Sequence, residues 1–231
     1  MAQVNYLLFG DVRGSIGGNV YSRNRFGFYV RNRTVPTNPN TGLQQAARNA
    51  FSNAAGYWGS TLTAAERTAW NDYAAAVSVL NKLGEPCYLS GFNMFLRSAS
   101  LWILIGETPI EAGPTTLSLP EVDGSFAVSI SEATQLISVT FNDGRDWCDE
   151  DGAFMSISQM KPVGPSRAYL VGESRHCGTI DGDSGSPPST PETIACSFVS
   201  TEGQKCIVTG RIARADGRLS NLFLASCTVA A

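Results

Sequence analysis

The spacing of apolar positions along the chain changes character at several points, and each change predicts an element. Residues 14–33, "GSIGGNVYSRNRFGFYVRNR", start as a glycine-rich lead-in. They continue as two β-favouring runs, Val20–Tyr21 and Phe28–Tyr29–Val30, with glycine near the reversal between them, which predicts a hairpin. "TVPTNPNTG" then breaks the chain with two prolines. Helical spacing follows. Thr41 and Gln44 form a capping box that opens a helix through "LQQAARNAFSNAA", ended by Gly56 and Gly59. A second box, Thr63 and Glu66, precedes Trp70, Tyr73, Val77 and Leu80, apolar positions three and four apart that share one helical face. A third helix is expected from about Ser90 to Leu104, with Phe92, Phe95, Ala99 and Trp102 on its buried side.

Residues 106–120, "GETPIEAGPTTLSLP", lack periodicity and hold three prolines and two glycines, the composition of a domain boundary. Beyond them the period shortens to that of strands: "FAVSIS", "QLISVTF", "AFMSISQM", "RAYLVG" (167–172), "ETIACSF", "KCIVTGRIA" and "LFLASCTVA". Short strands separated by turn signals predict a β-sandwich. The final stretch, "KCIVTGRIARADGRLSNLFLASCTVAA", resembles the last two strands of a fibronectin type III domain, with Gly217 and Ser220 matching its Gly-x-x-Ser turn. Trp147 falls after the second strand, whereas the core tryptophan of that fold lies within it. The fold class expected is α+β. An N-terminal β-hairpin arm and three-helix region (1–105) and a linker (106–120) precede a seven-stranded fibronectin III/Ig-like β-sandwich (121–231).

The last hairpin also has a predicted register. A two-residue turn at Asp216–Gly217 places Ala215 opposite Arg218 and Cys206 opposite Cys227. A bulge or a longer loop would separate the two thiols.

Charge divides the chain near the same boundary. Residues 1–100 carry nine Lys/Arg against four Asp/Glu, a net of +5, and residues 101–231 carry eight against sixteen, a net of −8. Oppositely charged halves fit different partners, or one another between copies. The longest apolar run, "LWILIG", falls far short of the roughly eighteen residues of a membrane helix. The start, "MAQVNYLLFGDVRG", lacks the basic and apolar regions of a secretory signal. A protein made in a host cytoplasm, with no membrane partner, is expected. Cys87, Cys148, Cys177, Cys196, Cys206 and Cys227 form no C-x-x-C pair, and His176 is the only histidine. They read as buried free thiols, since a zinc site would need several scattered thiolates.

One stretch suggests catalysis. "TIDGDSGSPPST", residues 179–190, differs by one letter from the Gly-Asp-Ser-Gly-Gly-Pro box around the nucleophile of chymotrypsin-like proteases. A serine nucleophile needs an imidazole within reach, a carboxylate to orient it and N–H groups for the oxyanion. In that family the histidine comes far earlier in the chain, and here His176 only just precedes Ser184. The box therefore reads as loop chemistry, and no catalytic residue, cofactor or metal site is expected. "GSIGGN" lacks the lysine of a phosphate-binding loop. Asp143, Asp146, Asp149, Glu150 and Asp151 lack EF-hand spacing for calcium and read as a solvated loop.

The N-terminal part carries a second resemblance. Gly14, Gly18, Arg31, Arg33, Pro36, Pro39, Thr41, Gln44, Arg48 and Phe51, within residues 14–70, are similar to a pattern in uncharacterised protein families of phage and bacterial genomes. That resemblance implies a phage or prophage origin and no activity. The function expected is a non-enzymatic virion structural protein, a capsid, decoration or tail subunit. It would associate with itself and with other virion proteins through an interface at Arg23, Arg25, Phe28, Tyr29, Arg31 and Arg33. Two other readings stand beside it: a nucleic-acid-binding protein using the arginine-rich hairpin, and a bacterial filament or surface-assembly subunit. Nucleic-acid binding needs a clustered basic face. The chain's pI near 5.2 favours arginines that are solvated or paired with a neighbour's acidic residues.

Overall fold

The computed structural model describes residues 2–3, 13–24, 27–81 and 84–231. The protein is α+β, with three α-helices and several antiparallel sheets among the described residues. It divides into two compact units, Met1–Gly42 and Leu43–Ala231.

The first unit is a four-stranded antiparallel sheet. Its strands are β1 (Ala2–Gln3), β2 (Gly14–Ile16), β3 (Asn19–Asn24) and β4 (Gly27–Asn32), in the order β1-β4-β3-β2. The predicted hairpin is β3–β4, with Asn24 opposite Gly27. The glycine-rich lead-in is itself a strand, β2, and Gly17 (φ 56°) and Gly18 (φ 89°) make the two-residue turn into β3. Tight hairpin turns with positive φ at both central residues match the strand twist, which is why a Gly-Gly pair serves here.

The second unit opens with α1 (Gly42–Gly56), prolonged by a π-helical turn at Tyr57–Thr61. Helix α2 (Ala64–Ala76) starts at the expected capping box: Thr63 N–H donates to Glu66 Oε2 (2.7 Å) and Glu66 N–H to Thr63 Oγ1 (3.3 Å). Trp70, Tyr73 and Val77 are buried in an apolar cluster with Ala54, Leu62, Phe95 and Ala99. Leu80 is not part of that stripe and is 55% exposed. The helix stops at Ala76, and Val77 begins an extended run into β5 (Ser78–Leu80), which pairs with β6 (Pro86–Tyr88). The β-branched valines at 77 and 79 and the following turn favour extension over another helical turn. Helix α3 (Gly91–Ile105) is capped by Ser90 and ended by Gly106 at φ 92°. Phe95, Ala99 and Trp102 are buried as expected, whereas Phe92 lies at the surface, edge-on to Trp58.

Seven further strands form two antiparallel sheets. One contains β7 (Ala127–Ser131), β8 (Leu136–Thr140) and β11 (Glu192–Ala195), in the order β11-β8-β7. The other contains β9 (Phe154–Met160), β10 (Ser174–Asp181), β12 (Lys205–Ala213) and β13 (Phe223–Thr228), in the order β10-β9-β12-β13. One cluster unites them, taking Ile130, Ile137 and Val139 from the first sheet and Met155, Ile157, Val208 and Ile212 from the second. Trp147, on the loop between β8 and β9, completes it. The strand expected at 167–172 is absent: that run is irregular, with Tyr169 66% and Val171 52% exposed. The strand in its place is β10, whose register against β9 shifts between His176 and Gly178. A bulge interrupts side-chain alternation, so the segment carries no clean period of two.

Residues 106–120 lie inside the second unit. Pro109 and Pro114 are buried, Trp70 Nε1 donates to the Glu111 carbonyl (2.9 Å), and a Cβ on Gly113 would stand 2.7 Å from Ala69. A further cluster of Trp102, Phe154, Ala213 and Leu219, flanked by Leu101, Ile105 and Ile110, packs α3 on the four-stranded sheet. Helices and strands therefore share one compact body.

The last hairpin has the expected thiol register and an unexpected turn. Cys206 is opposite Cys227. Arg214, however, donates its N–H to the Arg218 carbonyl (2.9 Å), so the loop is Ala215–Asp216–Gly217, with Gly217 at φ 86°. Three-residue loops with a left-handed glycine offset a hairpin by one residue. Ala213 then faces Leu219, but Gly210 faces Phe223, which leaves Arg211 opposite both Asn221 and Leu222. That one-residue bulge cancels the loop's offset and restores the cysteine pairing.

Candidate functional site

The Gly-Asp-Ser box forms the loop after β10, and its hydrogen bonds are those of a folded turn. Asp183 Oδ1 accepts the N–H groups of Gly185 (2.7 Å) and Ser186 (3.1 Å). Gly182 is required because a Cβ there would stand 2.1 Å from the Trp147 carbonyl. Ser184 donates both its N–H (2.8 Å) and its hydroxyl (3.0 Å) to the Asp151 carboxylate, holding that carboxyl below the usual range. The imidazole is engaged elsewhere. His176 Nδ1 lies 3.3 Å from Ser156 Oγ, and burial lowers the ring's pKa. Ser184 thus faces a carboxylate with no base between them, which is not a nucleophile's arrangement.

The neighbouring acidic residues are dispersed among structural partners. Glu150 pairs with the Arg214 guanidinium and accepts the Ala215 N–H (3.1 Å). Arg145 pairs with Glu121 at 2.5 Å. Glu121, Arg145 and Arg214 line a cleft of about 270 Å³ with Asp146, Trp147 and Ile212, in which two positive and two negative side chains balance. Among the described residues no three His, Cys, Asp or Glu side chains come together as a metal site. The six cysteines are free. Burial pushes the Cys206 thiol up to about 12 and the Cys227 and Cys148 thiols to about 11. Such thiols stay protonated and unreactive at neutral pH.

The expected interface residues sit on the first unit's sheet, divided between its faces. Arg23 pairs across the hairpin with Phe28, and its guanidinium lies 4.8 Å from the ring centroid. Tyr29 is opposite Ser22 and Arg31 opposite Val20, so both project from the other face. Arg33 follows β4, and its N–H donates to the Gly18 carbonyl (2.7 Å). Arg25 lies outside the described residues. Tyr21 and Val30 accompany Phe28 on its face, with Ile16 alongside. No described side chain of the unit is buried, and Ile16 is 64% exposed.

A polar junction not indicated by sequence spacing lies where α3 meets the last hairpin. Ser98 Oγ donates to the Gly217 carbonyl (2.7 Å), and Arg97 donates to the carbonyls of Leu219 (3.0 Å) and Ser220 (2.6 Å). Ser220 Oγ in turn accepts the Ile212 N–H (2.9 Å). The Gly-x-x-Ser turn is therefore the seat on which the helix docks. Burial, reinforced by the nearby charge of Arg211, lowers the Arg97 pKa to about 10.

No protein-family model and no curated protein matches the chain. Among solved structures it is similar to the adhesin domain of Epf from Streptococcus pyogenes, at 12% identity and a TM-score of 0.29. That match covers 48% of this chain and 32% of the other, so the chain spans about a third of its length. No helix among the described residues is long and apolar enough to cross a membrane.

Proposed function

We propose that the protein is a non-enzymatic structural subunit that self-assembles through its N-terminal sheet, and that the assembly is a virion. The observation that carries this reading is the first unit itself. It is a four-stranded sheet bearing Ile16, Tyr21, Phe28 and Val30 on one face, with no buried side chain among those described. Sheets gain independent stability from a covered apolar face, so this one is completed by a neighbouring copy. The second unit supports a role as a rigid projecting body. Its seven strands in two antiparallel sheets around one core support reading that body as a fibronectin III/Ig-like sandwich. Trp147 fills that core from a loop, so the likeness is one of layout.

Electron microscopy of the purified full-length chain tests the proposal. Regular rings, tubes or capsid-like particles are expected. Dispersed monomers, or order only with added nucleic acid and steep salt sensitivity, would favour the nucleic-acid reading instead.

A further inference from the structure

Strand β12 has two faces with different fates. Val208 and Ile212 enter the core between the sheets, so Arg211 stands on the opposite face, the one that carries Ala213 beneath α3. On that face Arg211 is directly opposite Ser156 of β9, whose hydroxyl oxygen lies 3.3 Å from His176 Nδ1 on β10. Helix α3 brings Arg97 to the same place, anchored by two carbonyls of the last hairpin.

The electrostatics of this spot are uncompensated. Arg97 and Arg211 are both half-buried, and each guanidinium is penalised by burial. Arg211 adds like-charge repulsion to Arg97. Arg211 Nε is buried without a hydrogen-bond partner among the described residues. Among the described residues neither guanidinium pairs with a carboxylate, although Arg145, Arg175, Arg214 and Arg218 all do. Buried charge is tolerated when it is paired. Two guanidiniums near enough to repel, one with an unused Nε donor, match an oxyanion, whose oxygens accept N–H donors from both.

We propose that Arg211, Arg97 and the Ser156 hydroxyl bind a small free oxyanion of the phosphate or sulfate class beside α3. The anion supplies the missing counter-charge, accepts from Arg211 and Ser156, and ties the helix to the sheet.

His176, the only histidine in the chain, makes the site directly observable. Inorganic phosphate titrated into the full-length protein, against sodium chloride at equal ionic strength, is followed by NMR of the imidazole ring. Phosphate is expected to shift the His176 signals saturably and to raise the ring's pKa, because a nearby anion favours imidazolium. Arg211→Gln abolishes both effects. Ser156→Ala keeps both arginines and weakens the phosphate midpoint by about tenfold, the scale of one hydrogen bond to a charged group, so the test stands even if the arginine variant fails to fold. A phosphate response equal to that of chloride overturns the proposal, as does one that survives undiminished in either variant. A site filled by a carboxylate of a second copy would show no phosphate response while Arg211→Gln altered sedimentation, and this too rejects the free-anion assignment.

Discussion

Replacing Gly217 with alanine probes the packing of the last hairpin's turn against Trp70 and Ile110, and replacing Gly203 supplies its control. Both glycines have left-handed backbones, φ 86° and 78°, and both sit in turns. A Cβ at Gly203 meets nothing within 4 Å, so Gly203→Ala reports the backbone penalty alone, about 1–2 kcal/mol. A Cβ at Gly217 would stand 3.3 Å from both Ile110 Cβ and Trp70 Cη2, so it crowds α2 and the segment after α3. Crowding a packed site of this kind adds about 1–3 kcal/mol. Gly217→Ala should therefore cost roughly 2–5 kcal/mol, and for a domain of this size each kcal/mol lowers Tm by about 2–4 °C. Urea unfolding of the two variants, with unchanged slope, gives the difference directly. Equal losses within about 0.5 kcal/mol, the ordinary scatter of additive effects, would refute the close packing of this turn against Trp70 and Ile110.

Other substitutions separate the remaining claims. Trp102→Ala removes an aromatic packed 4.9 Å from Phe154 between α3 and the sheet. It should cost about 3–5 kcal/mol in one transition seen alike by helical and strand signals; two transitions would contradict the shared core. Ser184→Ala should stay within about 0.5 kcal/mol of the parent and let the Asp151 pKa rise toward its ordinary value. Because that pKa is depressed in the fold, the small advantage of the parent is present above the usual carboxylate range and vanishes as acid protonates Asp151. Stoichiometric labelling of Ser184 by a serine-directed phosphonate would overturn the loop assignment. Denatured protein without reductant should titrate six thiols, and a count of four would point first to Cys206 and Cys227.

What could be read from the chain was mostly local. Thr63 and Glu66 satisfy one another within a single turn, so the α2 boundary needs no distant partner. Leu80 continues the helical spacing, but its pairing with Pro86 decides its conformation. "RAYLVG" has strand-like side chains without a strand to pair with, whereas β10 owes its place to β9 despite a bulge and a glycine. The cysteine register illustrates cancelling errors: the loop is one residue longer than expected, and the bulge opposite Arg211 makes up the difference. Arg97 and Arg211 carry no shared motif and lie far apart in the chain, so only the docking of α3 reveals their proximity. The arginines of the first unit were legible as residues, but their split between two faces follows from pairing alone.

The most direct test of assembly through the first unit is sedimentation equilibrium of the full chain beside residues 43–231, which contain all three apolar clusters. The full chain is expected to be an oligomer and the shortened one a folded monomer with one cooperative transition. A full chain that stays monomeric, or an oligomer that survives removal of residues 1–42, would contradict it.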